Sequence, residues 1–393
     1  MPKYSHLEWL SLVGEVDVGM LVFLGDPIDD RRAQELADHL NRVVIAPFQK
    51  RCGLPADESH KLILQGADVQ GVDAAIADAK AQLAKARQSS PKLGAVYILK
   101  NPQSVAPRGS ADQCQAAVLL IANHAVIDAL NLSSLAMTGE GMKSGPARSA
   151  WWWFRARMRG FKEAARNAVE SLTARGIPYE PRHVIVDIDR DRAVRAASVI
   201  GVRAEAMLYA IAYTQLKPAG AAGHWIDRIS HCQTTYRIGA IRYGIEPFLR
   251  FSFDILRQIA GNDLVSVARS IDARLAELRP QRDQAFVAMQ TTMGIYRRIT
   301  NMMSDRQVGA LLEKEFASRL VFSLYPVHPE RLFPAGTRIV DSTVLTLSDA
   351  GIFCIVHALS DKVRFSMTVD EVLAGRLSLF EETADDALRA ILA

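Results

Sequence analysis

The stretch Ala116–Ala129, AAVLLIANHAVIDA, decides how this chain is read. Its opening run of aliphatic residues, Ala116–Ala122, has the length and the bounding polar residues of a buried β-strand. The run stops at Asn123 and His124, and the small and apolar residues from Ala129 to Ala136 then suit a helix. An imidazole at that point is lifted out of a sheet edge beside a helix start, where the peptide dipoles supply positive potential. Three of the nine histidines have an aspartate four residues on: His124/Asp128, His183/Asp187 and His357/Asp361. His183 and Asp187 lie in an alternating run and project from one strand face. His357/Asp361 ends in Ser360–Asp361–Lys362, a hairpin-turn sequence. Only His124 has the strand-to-helix context of a reactive group. The same spacing also suits a satisfied, semi-buried histidine beside a capping aspartate, and spacing alone leaves both readings open.

Working outward, the first part of the chain reads as mixed α/β. Val16 to Leu24 is strand-like, Asp29 or Asp30 caps a helix carrying Ala33, Leu36, Ala37, Leu40 and Val43, and a second helix runs from about Val72 to Arg87. Ala95–Leu99 is a strand, separated from Ala116–Ala122 by the loop Asn101 to Ser110. A strand over His183–Asp189 opens the second part. RDRAVRAASVIGVRAEAMLYAIAYTQL follows as helix, turn at Gly201 and buried helix. The run TTYRIGAIRYGIEPFLRFSFDI is strand-like, with bends at Gly239 and Gly244. Asn262 is placed to cap a helix over Asp263–Arg279, and a helical stretch extends to about Arg319. The chain closes with strands over Leu320–Tyr325, Thr343–Leu347, Ile352–His357 and Val363–Thr368 and a helix from Asp370. The expectation is an α/β (α+β sandwich) protein of two lobes, residues 1–176 and 177–393.

Length and composition set the outer bounds. At 393 residues, 49% hydrophobic and 23% charged, the chain is a globular protein of more than one domain, large enough to bury a core without staples. A formal charge of +4 is too balanced for a nucleic-acid binder. Cys52, Cys114, Cys232 and Cys354 lie far apart with no CxxC pair, which argues against a disulfide framework or structural zinc and fits a reducing, cytoplasmic setting. The apolar run to Ile127, broken by Asn123 and His124, is too short to span a bilayer, and the N-terminal segment has no signal-peptide core. No Walker A sequence, strand-borne GxGxxG, GxSxG elbow or HExxH occurs. His224, Asp227, His231 and Cys232 are close in sequence but match no metal-site spacing, and Met289, Met293, Met302 and Met303 read as packing residues.

The positive charge is concentrated in a helix from Trp151 to Arg175, where six basic side chains stand against Glu163 and Glu170. Its opening Trp151–Trp152–Trp153 has three readings: tryptophans filling a core, a dock for an acidic protein, or a membrane-interface contact.

The residues NHAVIDAL (Asn123–Leu130) resemble the HHxxxDG signature of the chloramphenicol-acetyltransferase-like acyltransferases. That superfamily includes peptide-synthetase condensation domains, wax ester synthases, alcohol acetyltransferases and polyketide-associated acyltransferases. The similarity extends to AQELADHLNRVVIAPFQKRCG, to RHVIVDIDRDRAVRAASVIGVRAEAMLYAIAYTQL at the start of the second lobe, to LVFSLYP around Ser323, and to KVRFSMTVDEVL with Asp370. Two departures stand out: Asn123 replaces the first histidine and Ala129 replaces the glycine, which removes freedom to adopt positive φ. No Asp-Phe-Gly-Trp-Gly latch is found near Ile339–Thr346.

The resemblance implies two similar lobes forming a V around a central channel, with the catalytic histidine, here His124, at their junction. It implies acyl transfer from a coenzyme A or phosphopantetheinyl carrier-protein thioester to a hydroxyl or amine, in specialised or lipid metabolism, with no bound cofactor and no metal. His124 is then the general base, Asn123 holds the place of the first motif histidine, and Asp128 pairs with an arginine to pin the loop. Oxyanion stabilisation is expected from a backbone N–H near the motif or a hydroxyl of the facing lobe, with Ser323 the candidate. An acyl or peptidyl carrier protein, a small alcohol or amine acceptor and a peripheral membrane contact are the partners so implied, and a monomer is expected. The rival readings are a catalytically silent, carrier-binding member of the fold and a wax-ester or diacylglycerol-type transferase.

Overall fold

A computed structural model of the chain describes residues 17–46, 49–50, 62–66, 68, 70–89, 92–107, 110–123, 149–173, 180–217, 228–234, 251–257, 259–300, 302, 307, 319–324, 329–347, 352–359 and 361–393. Its first regular elements are β1 (Asp17–Leu24), α1 (Asp30–Leu40), β2 (Ile63–Gln65), α2 (Val72–Arg87), β3 (Gly94–Leu99) and β4 (Ala116–Asn123). There follow α3 (Ala150–Thr173), β5 (Pro181–Asp189), α4 (Arg190–Ile200), α5 (Ala204–Leu216), β6 (Arg228–Thr234) and β7 (Phe251–Arg257). The last are α6 (Leu264–Leu278), α7 (Arg282–Thr300), β8 (Arg319–Leu324), β9 (Ile339–Thr346), β10 (Ile352–Ala358), β11 (Lys362–Asp370), α8 (Glu371–Arg376) and α9 (Phe380–Leu392).

Aspartates start four of these helices. Asp29, Asp189, Asp263 and Asp370 each accept from the backbone N–H three residues on, at 2.7 to 2.9 Å, satisfying a donor that the first turn leaves open. The cap of α6 is therefore Asp263, one residue beyond the expected Asn262, because its carboxylate reaches both the Ser266 N–H and the Ser266 hydroxyl. Helix α4 ends where expected: Gly201 takes φ +72°, and the Val202 N–H turns back to the Ala197 carbonyl.

The described elements form two compact units. One unit contains β1 to β4, α1, α2 and β9; the other contains α3 to β8 and β10 to α9. They interleave in sequence, so a single cut after residue 176 would leave α3 with the first unit and β9 with the second. Hydrogen bonding decides otherwise: β9 covers the edge of β1 in antiparallel register, Leu21 facing Thr343, and α3 packs on α7.

In the first unit the sheet order is β2-β3-β4-β1-β9, antiparallel except for β2 with β3. β4 is its central strand and is buried at every position, which is why its sequence is a continuous apolar run rather than an alternation. In the second unit the order is β5-β11-β10-β8-β6-β7, with β8 parallel to both β10 and β6. One face of this sheet, from Leu320, Phe322, Cys354, Val356, Phe365 and Met367, packs into a single core with α4, α5, α6, α8 and α9. α5 is apolar all round because every residue from Ala206 to Tyr213 is buried in that core. β6 was not expected as a separate strand; 235–250, including Gly239 and Gly244, lie outside the described residues.

Candidate active site

β4 carries the polypeptide to the motif and ends at Asn123, which is 3% exposed. Three neighbours hold that strand end. The Asn123 N–H donates to the Leu93 carbonyl at 3.0 Å. Across the antiparallel pair, Asn123 lies directly opposite Asp17, the first residue of β1. Asp17 is gripped by Arg87, the last residue of α2, through two parallel hydrogen bonds of 2.7 and 2.8 Å. Both side chains are largely buried, at 8% and 12% exposure. A planar guanidinium matching a carboxylate in this way fixes orientation as well as charge.

The brace continues sideways. The Asp17 carbonyl accepts from the Leu347 N–H at 3.2 Å, and the Leu347 carbonyl accepts from Lys80 Nζ of α2 at 3.1 Å. Further along the same helix, Asp78 accepts from the Tyr97 hydroxyl of β3 at 2.6 Å. Opposed residues of an antiparallel pair project to the same sheet face, so Asn123, Asp17 and Arg87 belong to the α2 side of the sheet. The motif therefore begins at a strand end fixed by backbone pairing on both edges and by one buried ion pair.

His124, Asp128 and Ala129 lie outside the described residues. Asn123 is placed as the last residue of β4, in the contacts just given. Ser323 lies on β8 in the second unit, half-buried and in register with Ile355. It is on the sheet face opposite the helical core, since its neighbours Phe322 and Leu320 are the core-facing residues.

That second face of the β5–β11–β10–β8 sheet carries a set of polar residues beside the apolar Ile185 and Ile355. Asp187, Arg364 and His357 stand opposite one another across three strands, and Ser366 and Thr368 follow along β11. Arg364 and His357 are fully buried. Arg364 donates to both oxygens of Asp187 at 2.7 Å, and Lys362 Nζ approaches the same carboxylate at 2.8 Å. Burial pushes the Asp187 carboxyl up, but the Arg364 and Lys362 hydrogen bonds and charges outweigh it and hold the group below its ordinary range. His183 and Asp187 do share a strand face, opposite Thr368 and Arg364, and the Leu359 N–H to Lys362 carbonyl bond closes the expected hairpin before β11.

Sequence reasoning did not single out Asp17, Arg87 or Arg364. Asp17 and Arg87 look like an ordinary strand start and helix end, and no periodicity connects residues seventy positions apart. Arg364 carries a faint signal, a charged residue inside a strand of otherwise core character. Among the described residues no group of three His, Cys, Asp or Glu side chains could hold a metal ion. His224 and Asp227 lie outside those residues. No single helix among them is long and apolar enough to cross a membrane.

No protein-family model and no curated protein sequence matches the chain. Its fold does match solved structures over nearly full length. The trichothecene 15-O-acetyltransferase of Fusarium sporotrichioides aligns over 99% of this chain and 95% of its own, with a TM-score of 0.60 and 9% identity. The first condensation domain of the calcium-dependent antibiotic synthetase aligns over 100% and 97%, with a TM-score of 0.53 and 14% identity. A peptide-synthetase cyclization-docking bidomain from Sorangium cellulosum aligns over 99% and 85%, with a TM-score of 0.50 and 12% identity. At these identities the likeness is one of fold.

Proposed function

We propose that this chain, built on the condensation-domain fold, transfers an acyl group from a coenzyme A or carrier-protein thioester to a hydroxyl or amine acceptor. The observation that carries the reading is the position of the motif: NHAVIDA begins on the last residue of the buried central strand β4, in a fold whose solved examples include an acetyltransferase and condensation domains.

In the proposed reaction His124 takes the proton from the acceptor as its oxygen or nitrogen attacks the thioester carbonyl. The tetrahedral intermediate collapses with cleavage of the carbon–sulfur bond, and the imidazolium returns the proton to the departing thiolate. An imidazole is suited to both steps because its ordinary pKa lies near neutrality, and such general base catalysis contributes about 10²–10⁴ in rate. Asp128 acts at one remove, holding the loop through an arginine. Asn123 supports the histidine from a position the strand pairing makes rigid, so the missing first histidine is compatible with activity. A backbone N–H near the motif or the Ser323 hydroxyl would hold the oxyanion.

The test is thiol release from a panel of acyl-CoA and acyl-carrier thioesters with mixed alcohol and amine acceptors, wild type beside His124→Ala, both checked for folding. Acceptor-dependent release that disappears in the variant is expected. Release at background level from both proteins across the panel overturns the proposal and leaves a silent fold.

A further inference from the structure

Helix α3 presents two unlike faces. Its inner face is made of small residues four apart, Ala156, Gly160 and Ala164, packed on α7. The approach is close enough that the Gly160 carbonyl accepts from the Thr292 hydroxyl at 3.0 Å. At the start of the same contact, Arg159 donates to Gln281 at 3.2 Å.

The outer face is apolar and faces solvent. Trp151, Phe154, Met158 and Phe161 are 64%, 52%, 48% and 52% exposed, and the rings of Trp151 and Phe154 stack at 5.3 Å. Trp151 thus does not fill a core, while Trp152 and Trp153 are half-buried and meet edge to face. Exposed aromatic and sulfur-bearing side chains in a continuous stripe are unusual on a monomer surface and mark a contact site.

The spacing identifies the kind of contact. Steps of three, four and three residues place these side chains at the a and d positions of a heptad, a narrow seam about 15 Å long. Arg155 and Lys162 then fall at e positions and Arg157 at a g position, all exposed. We infer that the outer face of α3 docks an amphipathic helix of a protein partner, one whose apolar seam is flanked by glutamate or aspartate. A second copy of α3 fits poorly, because its own e and g positions would bring arginine and lysine against arginine and lysine. A bilayer does not require the three-four register, and helices lying in a membrane interface use a broader apolar face than two positions in seven. The inference stands apart from acyl transfer and does not depend on it.

The full chain is titrated into two labelled helical peptides of about three heptads, with leucine at a and d and either glutamate or lysine at e and g. Fluorescence anisotropy is the readout. The glutamate peptide is expected to bind at least about tenfold more tightly than the lysine peptide, and to weaken as salt rises past about 0.1 M. Phe161→Ser, and separately Arg155→Glu with Lys162→Glu, should each lower that affinity about tenfold or more while shifting the thermal melt little, since these side chains stand largely in solvent. Trp151→Ser provides a second apolar variant. Equal binding of both peptides, binding of neither, or unaltered binding by the variants overturns the inference. Sedimentation with phosphatidylcholine–phosphatidylserine vesicles that the same variants abolish also overturns it, in favour of a membrane surface.

Discussion

Arg87 and Asp17 lie seventy residues apart in sequence and are joined by two hydrogen bonds of 2.7 and 2.8 Å, directly across the sheet from Asn123. The pair ties the end of a helix to the start of a strand, at the point where the neighbouring strand delivers the motif. Removing one partner leaves a charge in a site that excludes water. Arg87→Met is therefore expected to cost about 3 kcal/mol of stability, with part of it recovered in the double variant Arg87→Met, Asp17→Leu. Urea unfolding measures both, and an unchanged midpoint in Arg87→Met would show the pair to be dispensable.

The Asp187 carboxyl is held below its ordinary range by Arg364 and Lys362, against the opposing effect of burial. A lowered folded-state pKa stabilises the protein above the unfolded value of about 3.9, and that stabilisation is lost as pH falls through the folded value. Asp187→Asn is expected to be less stable than wild type at pH 7 and to show a shallower loss of stability below about pH 4. Denaturant midpoints across the acid range check this; parallel acid limbs would contradict it.

Two glycines fail for different reasons when substituted. A Cβ at Gly160 would lie 2.5 Å from the Ala288 carbonyl oxygen, whereas nothing lies within 4 Å of one at Gly201, whose φ is +72°. Gly160→Ala is expected to cost about 1–3 kcal/mol by forcing α3 from α7, and Gly201→Ala about 1–2 kcal/mol by backbone strain. Asparagine separates the causes. It tolerates left-handed backbone, so Gly201→Asn should be milder than Gly201→Ala, while Gly160→Asn should be worse than Gly160→Ala.

Burial raises the thiol pKa of Cys354 and of Cys114, although two backbone hydrogen bonds partly oppose the rise at Cys114. A thiol kept neutral and covered reacts slowly with electrophiles. Iodoacetamide labelling of the native protein followed by peptide mapping should leave both unmodified, and both should label in denaturant. Rapid native labelling of Cys354 would mean that the β10 core opens.

Much of the local architecture can be read from the residues themselves. The Ala116 run is a strand because unbroken aliphatic sequence of that length suits a position buried on both faces, and β4 is so buried. Gly201 punctuates α4, and Asp370 caps α8, because their backbone and side-chain chemistry acts within a few residues. The Asn262 expectation missed by one position because two adjacent polar residues have equal capping chemistry, and loop geometry chose Asp263. Ser323 could be located on a strand but not on a face until Leu320 and Phe322 were seen to enter the helical core.

The sequence by itself determined what depends on neighbours along the chain: the periods of the helices, the strand at Ala116–Ala122, the helix ends at Gly201 and Asp370, and the motif that follows that strand. Tertiary structure alone decided what depends on neighbours in space. It took β9 to the edge of β1, matched Arg87 to Asp17, aligned Asp187 with Arg364 and His357, and turned the small residues of α3 inward and its aromatic residues out. The division has a physical cause. Local periodicity is written by bonds and torsions within one turn or two, whereas a strand edge or a buried charge has many chemically acceptable partners, and only the packing of the whole unit selects one.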